Sequence, residues 1–440
     1  MGLTRWLAVL TIPAALVAQR RSAPQTVVIR NATIVPVRGP VISKGSVALR
    51  DGLIDAVGAE VPVPPGAWVI EGEGLTVYPG LIDAASSWGL PSNLGAGNGG
   101  RGGRGASNPP PAHGPEDRPA STSWLRAADE IQPSDPRLER ARNAGFTSAA
   151  VFPMRGIFCG QGALVNLAGD KAGDMVLAPS VGQFVTMQPA GAGFPASLMG
   201  VIAYVRQVYL DAQHYTLLKA AYARDPVGMR RPDYDRALEG VLESKRILLP
   251  AHRRVEIDRM LRLAAEVQQP AILYGMHEGY RSTDLLKKSG VAVLVSLNWP
   301  ERPKDTNPEE SDSLRALELR DRAPSTPAEL AKAGVPFAFY SDGLDQPRDL
   351  QRAVRKAIDA GLSREDAVRA LTLAPAQMYG LADRLGSIEK GKIANLVVTR
   401  GELFDEKTKV EMVFIDGRRF GAPPEPARPA AGGLVTKEER

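Results

Sequence analysis

One cysteine, Cys159, occurs in 440 residues, so no internal disulfide can staple the fold and stability has to come from burial. A lone thiol with nothing nearby in sequence to activate it is expected to be buried and inert. Aromatic residues are scarce at 6%, and beyond the first twenty residues no apolar run approaches the roughly 20 residues that span a bilayer. Charge is not gathered into blocks: 54 basic residues are scattered among 49 acidic ones, giving a formal net charge of +5 and a pI of about 9.2. That distribution favours solubility and leaves no nucleic-acid footprint. The one basic low-complexity piece, Arg101 to Arg104 in a glycine tract, is too short to change this. With 44% hydrophobic and 23% charged residues, the composition is that of a soluble globular chain. At this length a barrel of roughly 250 residues or more plus a smaller module would account for it.

The N-terminus places Arg5 before an apolar run from Trp6 to Val17, then Ala18 ahead of the polar Gln19-Arg20-Arg21. That is the order of a secretory signal, predicted over 1–18, and it implies export to the periplasm or beyond. An uncleaved anchor is the alternative, but the run is short for a span, so no stable membrane span is expected after cleavage.

From Thr26 to Val77 short β-rich stretches alternate with turns. Val27 to Arg30, Ala32 to Val35, Ser46 to Leu49 and Leu53 to Val57 read as strands, and Asp51-Gly52 as a tight hairpin turn. The same texture returns only at the far end, in Ala394 to Val398 and in Val410 to Ile415, which runs into Asp416-Gly417. A β-module made from both chain ends, 26–78 with 386–420, explains this. The intervening 79–385 alternates strand-like runs (Phe146 to Phe152, Arg246 to Ala251, Ala271 to Gly275, Val291 to Leu297, Pro336 to Tyr340) with helix-like ones (Arg254 to Val267, Tyr280 to Ser289, Thr326 to Gly334). That rhythm means a parallel sheet, and at this length a closed barrel. The predicted fold class is therefore α/β, a (β/α)8 TIM-like barrel with a small composite β-sandwich. Residues 91–119, rich in glycine and proline, read as a flexible insertion rather than a phosphate cradle, and 421–440 as a disordered tail.

Three stretches point to one family. Thr76-Val77-Tyr78-Pro79-Gly80-Leu81-Ile82-Asp83-Ala84 resembles the entry to the first barrel strand of the amidohydrolase superfamily, in its secreted imidazolonepropionase-like branch. Ala370-Leu371-Thr372 to Ala376, then Leu385-Gly386-Ser387-Ile388-Glu389-Lys390-Gly391-Lys392 to Leu396, is similar to that family's closing signature. Asn143 to Thr147 and Gly160 to Ala163 fit the same branch. The resemblance runs from about Thr26 to Phe420 and implies hydrolysis of carbon–nitrogen bonds other than peptide bonds, with one or two divalent metals turning water into a nucleophile.

What the resemblance implies about ligands meets several departures. The family's first two histidines, one residue apart on a strand, correspond to Ala85 and Ser87, and the fifth-strand histidine corresponds to Pro250. His252, two residues on, is either a displaced ligand or a loop histidine beside Arg253 and Arg254. His277 matches the sixth-strand histidine as a metal or substrate ligand, or else caps a strand end. Asp342 matches the eighth-strand acid that binds metal and takes the proton of the attacking water, or else caps a turn. Metal candidates are thus His277 and Asp342, with His252 as a further one; Asp342 is the catalytic candidate, and His277 and Glu278 are the substrate-binding candidates. Asp83 belongs to the supporting shell. A fourth-strand ligand has no clear counterpart, and Lys219, in a helix-like stretch, is given no role. Tyr274, Trp299 and Tyr340 either line the cleft or pack the core.

Two donors are fewer than the three protein ligands catalytic zinc typically takes. The expectation is a barrel that holds no metal firmly, or one divalent ion at most, zinc before others. A small molecule would bind in its mouth, either without catalysis or, alternatively, with hydrolysis at a remodelled single-metal site. A homo-oligomer, or a subunit working beside an intact paralogue, is left open.

Overall fold

The computed structural model describes residues 26–95, 114–189, 193–303, 307, 309, 311–344 and 346–420. The predicted signal segment 1–18, residues 96–113 of the predicted insertion and the predicted tail 421–440 lie outside the described residues.

Five strands open the chain: β1 (Val27–Ile34), β2 (Ile42–Arg50), β3 (Leu53–Gly58), β4 (Trp68–Glu71) and β5 (Leu75–Pro79). β1 pairs antiparallel with β2 and parallel with both β4 and β5, and β3 adds to β2. Asp51 and Gly52, between β2 and β3, both take positive φ (52° and 80°), as the tight hairpin turn requires. Alternate residues of these strands, Val27, Ile29, Val47 and Leu49 among them, bury one apolar face.

Eight strands then form the barrel in sequence order: β6 (Leu81–Ser86), β7 (Phe146–Val151), β8 (Phe158–Asn166), β9 (Val176–Val185), β10 (Ile247–Ala251), β11 (Ala271–Gly275), β12 (Ala292–Ser296) and β13 (Phe337–Tyr340). β6–β7 and β9 through β13 pair parallel. β8 runs antiparallel to both its neighbours. The uninterrupted strand–helix alternation expected from sequence therefore fails between β7 and β9. The reason is length: the stretch 152–157 joining β7 to β8 is too short for a parallel crossover, which takes about a dozen residues or more. A 27-residue helix, Leu198–Arg224, follows β9; its buried side, Val201, Tyr204, Val205, Val208 and Ala212, keeps helical spacing.

β13 and β6 close the ring through a side chain. Asp83 Oδ1, on β6, accepts the backbone N–H of Ser341, just past β13, at 3.0 Å. Gly80 lies where the chain passes from sheet to barrel, and a Cβ there would stand 2.1 Å from Thr147 Oγ1. That close approach is the physical content of the Pro79-Gly80-Leu81 string.

The last strands, β14 (Leu396–Arg400), β15 (Val410–Ile415) and β16 (Arg418–Phe420), return to the first sheet, with β14 antiparallel to β5. The edge of β3 bridges back to Ile393, so the sheet rolls on itself as a small separate module. A buried polar joint fixes it to the barrel floor. Asn395 Nδ2 donates to Ser148 Oγ (3.0 Å) and Asn166 Oδ1 (2.8 Å), while Asn166 Nδ2 donates to Asp416 Oδ2 (2.8 Å). With every member paired, such a network specifies one docking geometry.

Candidate functional site at the barrel mouth

A cavity of about 800 Å³ opens at the carboxyl ends of the parallel strands, within the size range of small-molecule sites. Its walls differ in chemistry. Met154 after β7, with Phe184 and Met187 from β9 and its continuation, supplies an apolar side. Ser87, His252, Asn298 and Asp342, just past β6, β10, β12 and β13, supply the polar side. Two helices frame the opening, presenting Leu198 and Ile202 from Leu198–Arg224 and Glu256, Arg259 and Met260 from the helix Arg254–Glu266. They are clipped together by Arg206 and Glu266 at 2.7 Å.

Asp342 sits at φ 48°, a left-handed conformation that aspartate tolerates better than most residues. Its Oδ2 accepts from Ser296 Oγ at 2.7 Å, and Ser296 Oγ accepts in turn from the Asn298 N–H at 3.0 Å. The carboxylate is thus held in place by a neutral hydroxyl. Tyr274 and Tyr340 also line the cavity; burial pushes both hydroxyls well above their ordinary range, with the Asp342 charge adding to the effect. Trp299 does not reach the cavity, since its indole N–H donates to Ala353 O at 2.8 Å within the core.

His252 and His277 lie side by side, ring centroids 5.1 Å apart. His252 faces the cavity and rests on Gly275, where a Cβ would come within 2.7 Å of its Nδ1. Gly275, at φ 111°, thereby makes room for the imidazole. His277 is outside the cavity lining, and its Nε2 is buried with no hydrogen-bond partner. Burial, then the adjacent His252, lowers its pKa to about 4, so the ring is neutral at pH 7.

Glu278 is used elsewhere than the sequence suggested. Its Oε2 accepts the N–H of Arg254, the first residue of the preceding helix Arg254–Glu266, at 2.9 Å, and its Oε1 faces Arg315 at 3.4 Å. A carboxylate on orphan amides at a helix start is a cap, and Glu278 does not line the cavity. Lys219 pairs with Glu239 at 2.5 Å on the surface, away from the mouth. Cys159 is fully buried, and burial raises its thiol pKa, leaving it protonated.

Ala85 and Ser87 border the cavity, as does Pro250. Beside Ser87 stands a residue the sequence reading passed over. Arg137 Nη1 donates to Ser87 Oγ at 3.3 Å and Nη2 to Leu90 O at 2.5 Å, while Asp135 grips the same guanidinium at 2.7 Å. Asp135-Pro136-Arg137 reads in sequence as a helix start, and nothing local announces that its arginine reaches a strand end fifty residues earlier. Asp83 is fully buried, and burial raises its pKa to about 7, partly offset by the Ser341 hydroxyl and then by the Ser341 and Ala85 N–H groups, while the charge of Asp342 pushes the same way as burial.

Among the described residues no three His, Cys, Asp or Glu side chains are grouped to hold a metal ion. Asp342 is engaged by Ser296 and a cation stands at Ser87, so the donors present do not fit the three-ligand centre that the resemblance implies. What the arrangement offers is a half-apolar chamber with hydrogen-bonding groups on one side.

A family model described as Amidohydrolase family matches residues 282–420. An amidohydrolase from Thermotoga maritima superposes over 90% of this chain and 100% of its own, with a TM-score of 0.73 and 26% identity. The family model and the Thermotoga maritima structure together support a place for this chain in the amidohydrolase superfamily. An imidazolonepropionase from Flavobacterium johnsoniae is 35% identical over a stretch covering 21% of this chain and 26% of that protein, so the chain matches about a quarter of that relative. Molinate hydrolase, at 16% identity over 94% of this chain and 99% of its own with a TM-score of 0.52, shares the fold. Within this superfamily frame, the amidohydrolase barrel and the separate β-module both agree with the sequence expectation.

Proposed function

We propose that this chain is an exported amidohydrolase-superfamily barrel whose mouth binds a small organic molecule, holds no divalent metal firmly and does not carry out the family's metal-dependent hydrolysis. The observation that carries this reading is the guanidinium of Arg137 hydrogen-bonded to Ser87, at the position where the resemblance implies a neutral metal-binding imidazole. A guanidinium has no lone pair to give a metal and it occupies the Ser87 oxygen, while neither Ala85 nor Pro250 offers a donor in compensation. The cavity itself is intact, which supports binding as the retained capacity. Elemental analysis of the purified, dialysed full chain tests this: well under one metal per chain is expected, and stoichiometric zinc, iron or manganese would overturn it. Export rests on the order of residues 5–21 alone, and N-terminal sequencing of the mature protein is its test.

One observation favours a second reading, an active hydrolase of cyclic or linear amides at a remodelled single-metal site. The unpartnered Nε2 of His277, beside His252, is a neutral imidazole nitrogen of the kind that ligates zinc. In that reading His277, Asp342 and a recruited His252 would hold the ion, whose chemistry would be to lower the pKa of water for attack. If Asp342→Asn leaves hydrolysis of a panel of lactams, cyclic ureas and dipeptides unaltered, that reading fails.

A further inference from the structure

Resting on the ligand-binding reading above, we propose that the mouth selects small organic carboxylates with an apolar body, and that Arg259 at the rim is the residue that takes the carboxylate. Arg259 shares one helical face with Glu256 and Met260, and all three border the cavity. Glu256, the acid one turn away, does not neutralise it: Glu256 accepts from the His252 and Arg253 N–H groups (2.9 and 3.1 Å) and from the Arg253 guanidinium (2.7 Å). Among the described residues no ion pair or hydrogen bond engages the Arg259 guanidinium. Arg137, the other arginine bordering the cavity, is already matched by Asp135 and by the oxygens of Ser87 and Leu90. The uncompensated positive charge of the chamber therefore belongs to Arg259, and its fork of N–H donors suits a carboxylate.

The rest of the chamber fixes which way such a ligand lies. Asp342 carries a negative charge at the floor and repels a carboxylate placed there, so the anionic end stays at the rim. Beside Asp342, Tyr340 and Ser341 are buried and border the cavity. Between rim and floor the ligand body meets Phe184, Tyr274 and Met260, which bury apolar surface without specifying it further.

The experiment uses the full chain and matched probes: phenylalkanoates with two to five methylenes, and the primary amide of each, titrated calorimetrically at pH 7.5 and low salt. At least one acid should bind fivefold or more tighter than its amide, with the preference shrinking as salt rises. Arg259→Gln should remove that preference while leaving the affinity for the amide within twofold. Amides that bind as well as their acids, or an acid preference that survives in Arg259→Gln, overturn the assignment while leaving the binding reading intact. If no probe of either kind binds, the carboxylate proposal falls with its ligand class. Arg206→Gln, on the opposite framing helix, serves as the charge control; an equal loss of acid preference there would assign the effect to general charge and overturn the role of Arg259.

Discussion

The two sides of the barrel are built differently and offer different chemistry. From β10 to β13 every strand runs the same way, so each delivers the residues past its carboxyl end to the mouth, and those residues include His252, His277, Asn298 and Asp342. Across β7 to β9 the middle strand is reversed, and what it brings to the mouth is its beginning, Phe158 and Cys159, both buried. One side is therefore a source of hydrogen-bonding groups and the other a packed wall. Strand direction, more than composition, decides where polar chemistry can gather in this barrel.

That contrast can be pressed experimentally. The largest effect should come from the packed wall: Phe158→Ala removes a fully buried ring that contacts Tyr204 and Tyr209 and should cost about 3–5 kcal/mol in denaturant unfolding. A cost under about 1 kcal/mol would mean that this wall is not packed as described. Next is the joint beneath both sides. Asn395→Leu strands Ser148 and Asn166 without their donor and should cost on the order of 3 kcal/mol, with the barrel and the β-module losing their common unfolding transition.

The polar side should also be where pH acts, and two groups there pull in opposite directions. His277 has its pKa lowered to about 4 from 6.5, so acidification through that window protonates the unfolded chain first and destabilises the fold. Asp83 has its pKa raised to about 7 from 3.8, so its contribution is full at low pH and is lost as pH rises through 7. Each effect is at most about 3–4 kcal/mol, and together they leave the wild type nearly level between pH 4 and 6.5. His277→Gln should then lose stability as pH rises across that window, and Asp83→Asn should gain it. Equal slopes in both variants would sink the assignment. The smallest effect is expected at the border of the two sides, where Arg206→Ala breaks the half-exposed pair with Glu266 at a cost below about 1 kcal/mol.

Much of the architecture was legible because it rests on local patterns. Ala271–Gly275 is a strand where its apolar run ends at Met276, and the helix Arg254–Glu266 keeps Ile257, Met260 and Leu263 at helical spacing. Asp51-Gly52 turns where its chemistry requires. The reversal of β8 was not legible, because Gly160 to Ala163 carries no mark of direction; only the short stretch before it does. At the site, residues at strand ends could be foreseen from the family motifs. Arg137 and Arg259 could not, since each reaches the mouth from a helix flank and its role depends on which carboxylates stand nearby. Glu278 misled for the converse reason: a carboxylate next to a candidate ligand in sequence is turned toward the first amide of the helix before it, Arg254–Glu266.

The pairing of β5 with β14 sets Leu75 opposite Arg400. During synthesis β5 therefore waits, with one hydrogen-bonding edge uncovered, until the chain as far as Arg400 has emerged. A chain with so distant a partner pays loop closure late and folds slowly, and its early strands are the segment most in need of a chaperone's cover.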